Sequence, residues 1–188
     1  IAGKLQASFF QSVTTRTAGF ASISQSGLTN GSKLLACMLM IIGGSPAGTA
    51  GGIKTTTVAV LLLTAISVLR GNKDTECYGR KITFEIIRVA MTITLVTFVF
   101  WLFGVTVMTV IEPQQKVLDL MYEATSAMAT VGLTADLTPV LSDISHVVLM
   151  LMMYIGRIGP MTMALIFSGH ADKKNQFRTL PEAKIMVG

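Results

Sequence analysis

From Met91 to Ile111 the chain runs for 21 residues without a formal charge. A helix needs roughly 20 predominantly apolar residues to cross the hydrocarbon core of a bilayer. This run therefore sets the solvent for the rest of the fold, because in hydrocarbon the backbone polar groups have no water and must satisfy one another. Three further stretches fit the same solvent. Leu34–Ile53 is uncharged but rich in glycine, Thr55–Leu69 is short and apolar, and Ile144–Ser168 carries one charge, Arg157. Charged residues make up 13% of the chain, against about 25% in soluble domains, and the mean hydropathy is +0.63.

The placement of charge says more than the net +5. Arg70, Lys73, Arg80 and Lys81 cluster in one connection, and Lys173, Lys174, Arg178 and Lys184 in the tail. Glu112, Asp136 and Asp143 mark the other connections, with Lys116 alone against them. The positive-inside rule then puts the first loop and the C-terminus in the cytoplasm and the acidic connections outside. Basic residues flanking apolar spans need no nucleic acid to explain them, and none is expected as a partner. Cys37 in an apolar run and Cys77 in a charged loop do not suggest a disulfide. With only His146 and His170 they give no metal-ligand spacing. The chain starts Ile1-Ala2-Gly3-Lys4, without Met or a signal pattern, so a longer protein is expected around it.

Five pieces are expected: a short amphipathic helix over 4–16, a stretch over 32–70 broken by GGSPAGTAGG, a long helix over 82–111, a second short helix over 116–129, and a last span over 145–169. Beneath them lies an internal repeat. An offset of 113 pairs Gly19 in TAGF with Gly132 in TVGL, Phe9 with Tyr122, Ser12 with Thr125 and Thr17 with Thr130. It also pairs Gly43 with Gly156, each 24 residues past the earlier glycine. Each copy reads as short helix, Thr-x-Gly turn, polar exit, long helix. The counterpart of the 82–111 helix before the first copy is missing.

A helix of about 14 residues is too short to span a bilayer, so it must enter and turn back. Irregular backbone at that depth is tolerated only inside protein or beside a water-filled cavity. Glycine lets successive carbonyls point one way, and rings of carbonyls can replace the hydration shell of a potassium ion. The C-terminal end of each short helix would aim partial negative charge at the same place. Thr17, Ala18, Gly19 and Phe20, with Thr130, Val131, Gly132 and Leu133, are the candidate filter residues. The plain alternative is a pair of turns after short helices in a membrane enzyme; one Thr-x-Gly alone carries little, two at a fixed offset much more.

FFQSVTTRTAGF and SAMATVGLT resemble the third and fourth pore loops of the potassium transporter superfamily of Ktr, Trk and HKT proteins. IIGGSPAGTAGGIKTTT resembles its intramembrane gating loop, YIGRIGPMT its last helix, and LPEAKIMVG the C-terminus of Ktr membrane subunits. The resemblance covers essentially the whole chain. It implies an all-α membrane protein of four helix–pore loop–helix repeats, with re-entrant pore helices and a broken transmembrane helix. Residues 1–70 would be the pore loop and broken second helix of repeat three. Residues 71–81 would be a cytoplasmic loop, 82–169 repeat four, and 170–188 a cytoplasmic tail. Repeats one and two, the N-terminal half, would be absent. It further implies potassium uptake across a bacterial plasma (inner) membrane, no covalent cofactor, a homodimer and a cytoplasmic nucleotide-binding regulatory ring. It leaves open sodium as an activator.

The resemblance implies a gate of Gly43, Gly44, Ser45, Pro46, Ala47, Gly48, Thr49, Ala50, Gly51, Gly52 and Lys54, opposed by Arg157. Glycine and proline interrupt helices, so unwinding here is expected from the residues too. The segment resembles a phosphate-binding loop in part, but Ile53 separates Gly52 from Lys54 and no strand precedes it. Arg157 is the sole charge of its span, and an intramembrane charge is a functional hypothesis by default. Its expected role is to bond loop carbonyls and oppose cations, and the alternative is an ion pair with an acidic group elsewhere. Arg16 is expected to brace its helix. Asp136 either concentrates cations at the mouth or is a solvated or capping residue. The methionines read as packing. A secondary transporter using the broken helix would want a carboxylate between Ser32 and Leu69, where none occurs. A sodium-permeable channel is the other alternative. An enzyme would want an Asp/Glu/His cluster, and the spans lack one.

Overall fold

A computed structural model describes residues 2–46, 50–72 and 74–159. Ala47, Gly48 and Thr49 of the expected gate, Lys73, and the expected continuation of the last helix and tail from residue 160 lie outside the described residues. Among the described residues, six α-helices carry the fold: α1 (Ala2–Thr14), α2 (Asn30–Ile41), α3 (Thr55–Leu69), α4 (Phe84–Ile111), α5 (Val117–Met128) and α6 (Asp143–Ile158). A two-residue hairpin, β1 (Glu76–Cys77) and β2 (Arg80–Lys81), joins α3 to α4. Its turn residues Tyr78 and Gly79 both have positive φ, the requirement of a tight hairpin turn. In the sequence this segment reads only as a charged loop.

α2 and α6, the helices that follow the two turns, are capped by the same device. The Thr29 hydroxyl accepts the Ser32 amide at 3.3 Å, and the Ser142 hydroxyl accepts the Ser145 amide at 3.5 Å. Thr29 and Ser142 are again 113 apart, and side-chain oxygens at this position satisfy otherwise orphaned helix donors. α1 and α5, with 13 and 12 residues, measure about 20 and 18 Å at about 1.5 Å per residue, short of the roughly 30 Å hydrocarbon core. α4 with its 28 residues reaches about 42 Å and can cross it. Of the most apolar window of α4, only 22% is buried, which is not the pattern of a soluble core helix. Its threonine hydroxyls are turned inward on their own helix: Thr92, Thr94, Thr97, Thr106 and Thr109 each donate to the carbonyl four residues earlier at 2.8–2.9 Å.

The broken helix is observed where glycine and proline predict it. The chain leaves α2 at Ile41 and returns beside its point of exit. Gly43 N–H donates to Ile53 O at 2.9 Å, Ile53 N–H to Ile41 O at 3.0 Å, and Thr55 N–H to Gly44 O at 3.2 Å. The result is a loop with pinned ends, followed by α3. α5 sits at the centre of the molecule. One core joins it to α4 and α6 through Met108, Leu120, Ala124, Met128, Leu149 and Met152. The other joins it to α2 through Ala36, Cys37, Met40, Tyr122 and Val131. Gly104 gives Met152 its seat, since a Cβ there would strike the thioether; this is methionine as packing.

Candidate functional site

The two Thr-x-Gly turns share one backbone. φ is +63° at Thr17 and +75° at Gly19, and +53° at Thr130 and +89° at Gly132; Ala18 and Val131 between them are not in that region. Glycine adopts positive φ freely, but a β-branched residue there is an outlier costing about 1–3 kcal/mol. Two threonines strained alike, 113 residues apart, are held so by their surroundings. In the first turn the amides of Ala18 and Gly19 both donate to Thr14 O, at 3.2 and 3.1 Å, and the Thr14 hydroxyl donates to Phe20 O at 2.6 Å. In the second, Val131 N–H donates to Ser126 O at 2.9 Å. The turns lie against each other: a Cβ on Gly19 would collide with the Val131 carbonyl.

Polar braces behind the turns escaped the sequence reading. Gln25 is buried, exchanges bonds with Gln11 at 2.6 and 3.1 Å, donates to Ile23 O at 2.8 Å and accepts the Tyr122 hydroxyl at 2.9 Å. Glu123, 4% exposed, accepts from Thr134 Oγ1 at 2.5 Å, Ala135 N–H at 2.9 Å and Thr138 Oγ1 at 2.8 Å. Each brace ties a short helix to the segment leaving its turn, and Gln25 and Thr138 occupy equivalent repeat positions. Asp136 is exposed, as a solvated residue would be, and is not the cap of the following turn of helix, which is Leu137. It accepts hydroxyls from Ser26 at 2.6 Å and Ser24 at 3.1 Å, clasping the two exits, and these bonds, Ser26 first, hold its carboxyl below the usual range. Lys33 of α2 and Asp119 of α5 pair at 2.6 Å, largely buried. The signal that could have found the braces was the offset itself, which singles out Tyr122 opposite Phe9.

The glycine-rich loop meets the second turn. A Cβ on Gly51 would strike the Thr130 hydroxyl and the Ala129 carbonyl, and one on Gly43 would strike Gly51 O. Lys54 Nζ donates to Ala50 O, closing the loop on itself. Gly44 faces Ala50, Gly52 passes Ile41 O, and Ser45 and Pro46 are exposed. Among the described residues, the Thr130 hydroxyl is the buried side-chain oxygen without a hydrogen-bond partner. Arg157 lines a cavity of about 600 Å³ together with Glu123, Ser126, Thr130, Gly132 and Thr134. α6 is drawn close there by Gly156, where a Cβ would hit Met128 O. Phe20 projects outward, 72% exposed, and Arg16 is exposed. Thus Thr130–Gly132, Gly51 and Arg157 gather around one turn, and Thr17–Gly19 stands beside it. No cluster of three or more His, Cys, Asp or Glu suited to a metal occurs among the described residues.

Residues 1–178 match the TrkH family of cation transport proteins. The chain is 38% identical to the Ktr system potassium uptake protein B of Bacillus subtilis over 188 residues, all of this chain and 41% of that protein. It is 37% identical to the potassium/sodium uptake protein NtpJ of Enterococcus hirae, over 98% of this chain and 42% of the other. With the Ktr system potassium uptake protein B of Vibrio alginolyticus it shares 34% identity over 99% of its length and 40% of that protein. The chain thus spans about two fifths of the length of the curated relatives it matches.

Proposed function

Since the chain belongs to the TrkH family, whose members are integral membrane transport proteins and not enzymes, we propose that it forms two adjacent quarters of a potassium-uptake pore. Thr17–Phe20 and Thr130–Leu133 are its filter segments on this reading. The observation that carries it is the shared backbone of the two turns, set against each other by Gly19. Residues that alternate between left- and right-handed conformations turn successive carbonyls to one side, the arrangement that can stand in for a cation's water. α1 and α5 end at the turns and bring their carbonyl ends to the same place. The divisions are a third repeat within 1–70, a cytoplasmic loop at 71–81, a fourth repeat over 82–169 and a cytoplasmic tail over 170–188.

The loop 43–54 serves as the gate on this reading, because its Gly51 lies directly against Thr130. Arg157, in the wall of the cavity that Thr130 shares, supplies the opposing positive charge. Two further repeats complete the ring in a bacterial plasma membrane, with a second copy and a nucleotide-binding regulatory ring as partners. Potassium is the transported ion; no covalent cofactor is invoked. The full-length protein is expected to restore growth at low potassium to a strain lacking its own uptake systems, and Arg157→Gln to raise the flux. No rescue with the protein present in the membrane would sink the proposal. A second reading, sodium permeation or activation by sodium, is favoured by the relative named for both ions. Uptake measured with potassium and sodium in competition separates the two.

A further inference from the structure

A cavity of about 130 Å³ lies behind the hinge of the broken helix and reaches Ala129 at the start of the second turn. Ile41, Gly52 and Ile53 of the hinge, Phe98 and Trp101 of α4 and Met128 of α5 line it. Three threonines also face it, and their hydroxyls are already engaged. Thr94 donates to Ala90 O at 2.9 Å, Thr97 to Ile93 O at 2.8 Å and Thr125 to Met121 O at 2.6 Å. The Trp101 indole N–H is spent on Thr125 Oγ1 at 2.8 Å. What remains is methyl, methylene and ring surface. A water in a cavity wants two to four polar partners, whereas an apolar cavity of about 150 Å³ stays dry and takes up benzene.

A groove between α3 and α4, walled by Leu61, Met91 and Leu95, shares Thr94 and Phe98 with the cavity. Its other hydroxyl, Thr92, is likewise turned back, on Arg88 O at 2.9 Å. Leu95 is 67% exposed on this face, and α4 is the helix long and apolar enough to cross a membrane. On the proposed membrane placement the medium along this face is hydrocarbon, present at far higher local concentration than any dissolved apolar molecule.

We propose that groove and cavity form one site for an acyl chain of a membrane phospholipid, its end resting on Ile53 and Gly52 at the hinge. The site rests on the membrane placement of the family and not on ion selectivity. Trp101, the single tryptophan of these residues, reports on it directly. The full-length protein, with any tryptophan elsewhere replaced by phenylalanine, is reconstituted in phosphatidylcholine brominated at mid-chain. Bromine at near contact should quench Trp101. Thr94→Phe, at the wall that groove and cavity share, should cut the quenching by about half or more, because a close-packed wall there admits no chain. Val110→Phe, on the same helix but away from the groove, should leave it unchanged. Should Thr94→Phe fail to fold, Leu61→Asn puts an amide into the groove and should lower the quenching likewise. Equal quenching in wild type and wall variants, or none in wild type, overturns the site. Quenching by a brominated free fatty acid but not by the phospholipid overturns it too, in favour of a soluble amphiphile. Because the readout is fluorescence, a protein that binds the chain yet carries no potassium would break the transport reading and leave this one standing.

Discussion

α1 and α5 follow one plan and meet different surroundings. α5 has eight of its 12 residues buried, from Leu120 to Met128, wrapped by α2, α4 and α6. α1 leaves Leu5, Phe9 and Val13 open. Phe9 is 74% exposed where its repeat partner Tyr122 is 0% exposed. Yet the turns that follow adopt the same alternation of φ. The two turns thus keep one backbone although their helices differ in burial, which neighbouring helices confer. A large apolar side chain left open on one copy and filled around on the other marks a face that further protein is suited to cover.

The largest effect expected is at that pair. Tyr122→Ala should cost about 3–5 kcal/mol, the usual range for a fully buried aromatic, read as the thermal stability of the full-length protein in detergent. If two further repeats complete the ring, Phe9→Ala should approach the same loss. A loss within about 0.5 kcal/mol, as for surface positions, would say that the α1 face looks into lipid and would break the comparison.

The braces should come next. Glu123→Ala strands two hydroxyls and a backbone amide, and hydrogen bonds to a charged group contribute about 1.5–3 kcal/mol each before relaxation, so a total near 3 kcal/mol is expected. Gln25→Ala removes four neutral bonds of about 1 kcal/mol apiece before the same relaxation and should cost less, because each is weaker than a bond to a charged group. Equal losses would mean that the carboxylate brace of the second copy is no stronger than the amide brace of the first.

Glycine separates the turns more finely. Gly132→Ala meets open space and suffers only its positive φ, about 1–2 kcal/mol. Gly19→Ala carries the same conformational cost and must also displace the Val131 carbonyl. It should therefore be the more damaging of the two in both melting temperature and potassium uptake. The reverse order would place the two turns further apart than this packing has them.

The elements of the fold were legible in the sequence because they are local. The run from Met91 to Ile111 lies within α4, Gly43 to Gly52 breaks the helix, and the offset of 113 aligns both turns and both glycines at 43 and 156. α1 begins and ends two residues earlier than expected, and Thr15–Thr17 belong to the turn. The hairpin at 76–81 was missed, since two-residue strands leave no alternating pattern to read. What holds the turns was not legible. Tyr122 meets Gln25 across 97 residues and Ser24 meets Asp136 across 112. Glu123 gives no local hint, because a single carboxylate in a short helix reads as solvated until its three donors are brought to it. The strain at Thr17 and Thr130 was hidden for a related reason: the reading gave the unusual conformation to glycine alone, whereas in both copies a threonine shares it.

The smallest effect expected is a dependence on acid, and the groups that carry it lie in the second copy. Hydrogen bonds from Ser142, side chain and backbone, and then from Ser145 hold the Glu112 carboxyl below its usual range. Ser26 and Ser24 do the same for Asp136. A depressed folded value means that the stabilisation is complete above the unfolded carboxylate range, about 4. It is lost as pH falls through the lower folded values. Stability should therefore be insensitive to these groups from neutrality down to about pH 5 and decline below about pH 4. Asp136→Asn should remove part of that decline, and Glu112→Gln another part. The repeat counterpart of Asp136 is Ile23, which cannot titrate, so the clasp of Asp136 should loosen in acid while the brace of Gln11 and Gln25 holds. Hydrogen exchange at low pH tests the clasp: faster exchange on both sides of it, at Ser24 and Ser26 and at 134–138, is expected, and no acceleration at either would show that the clasp of Asp136 contributes nothing of its own.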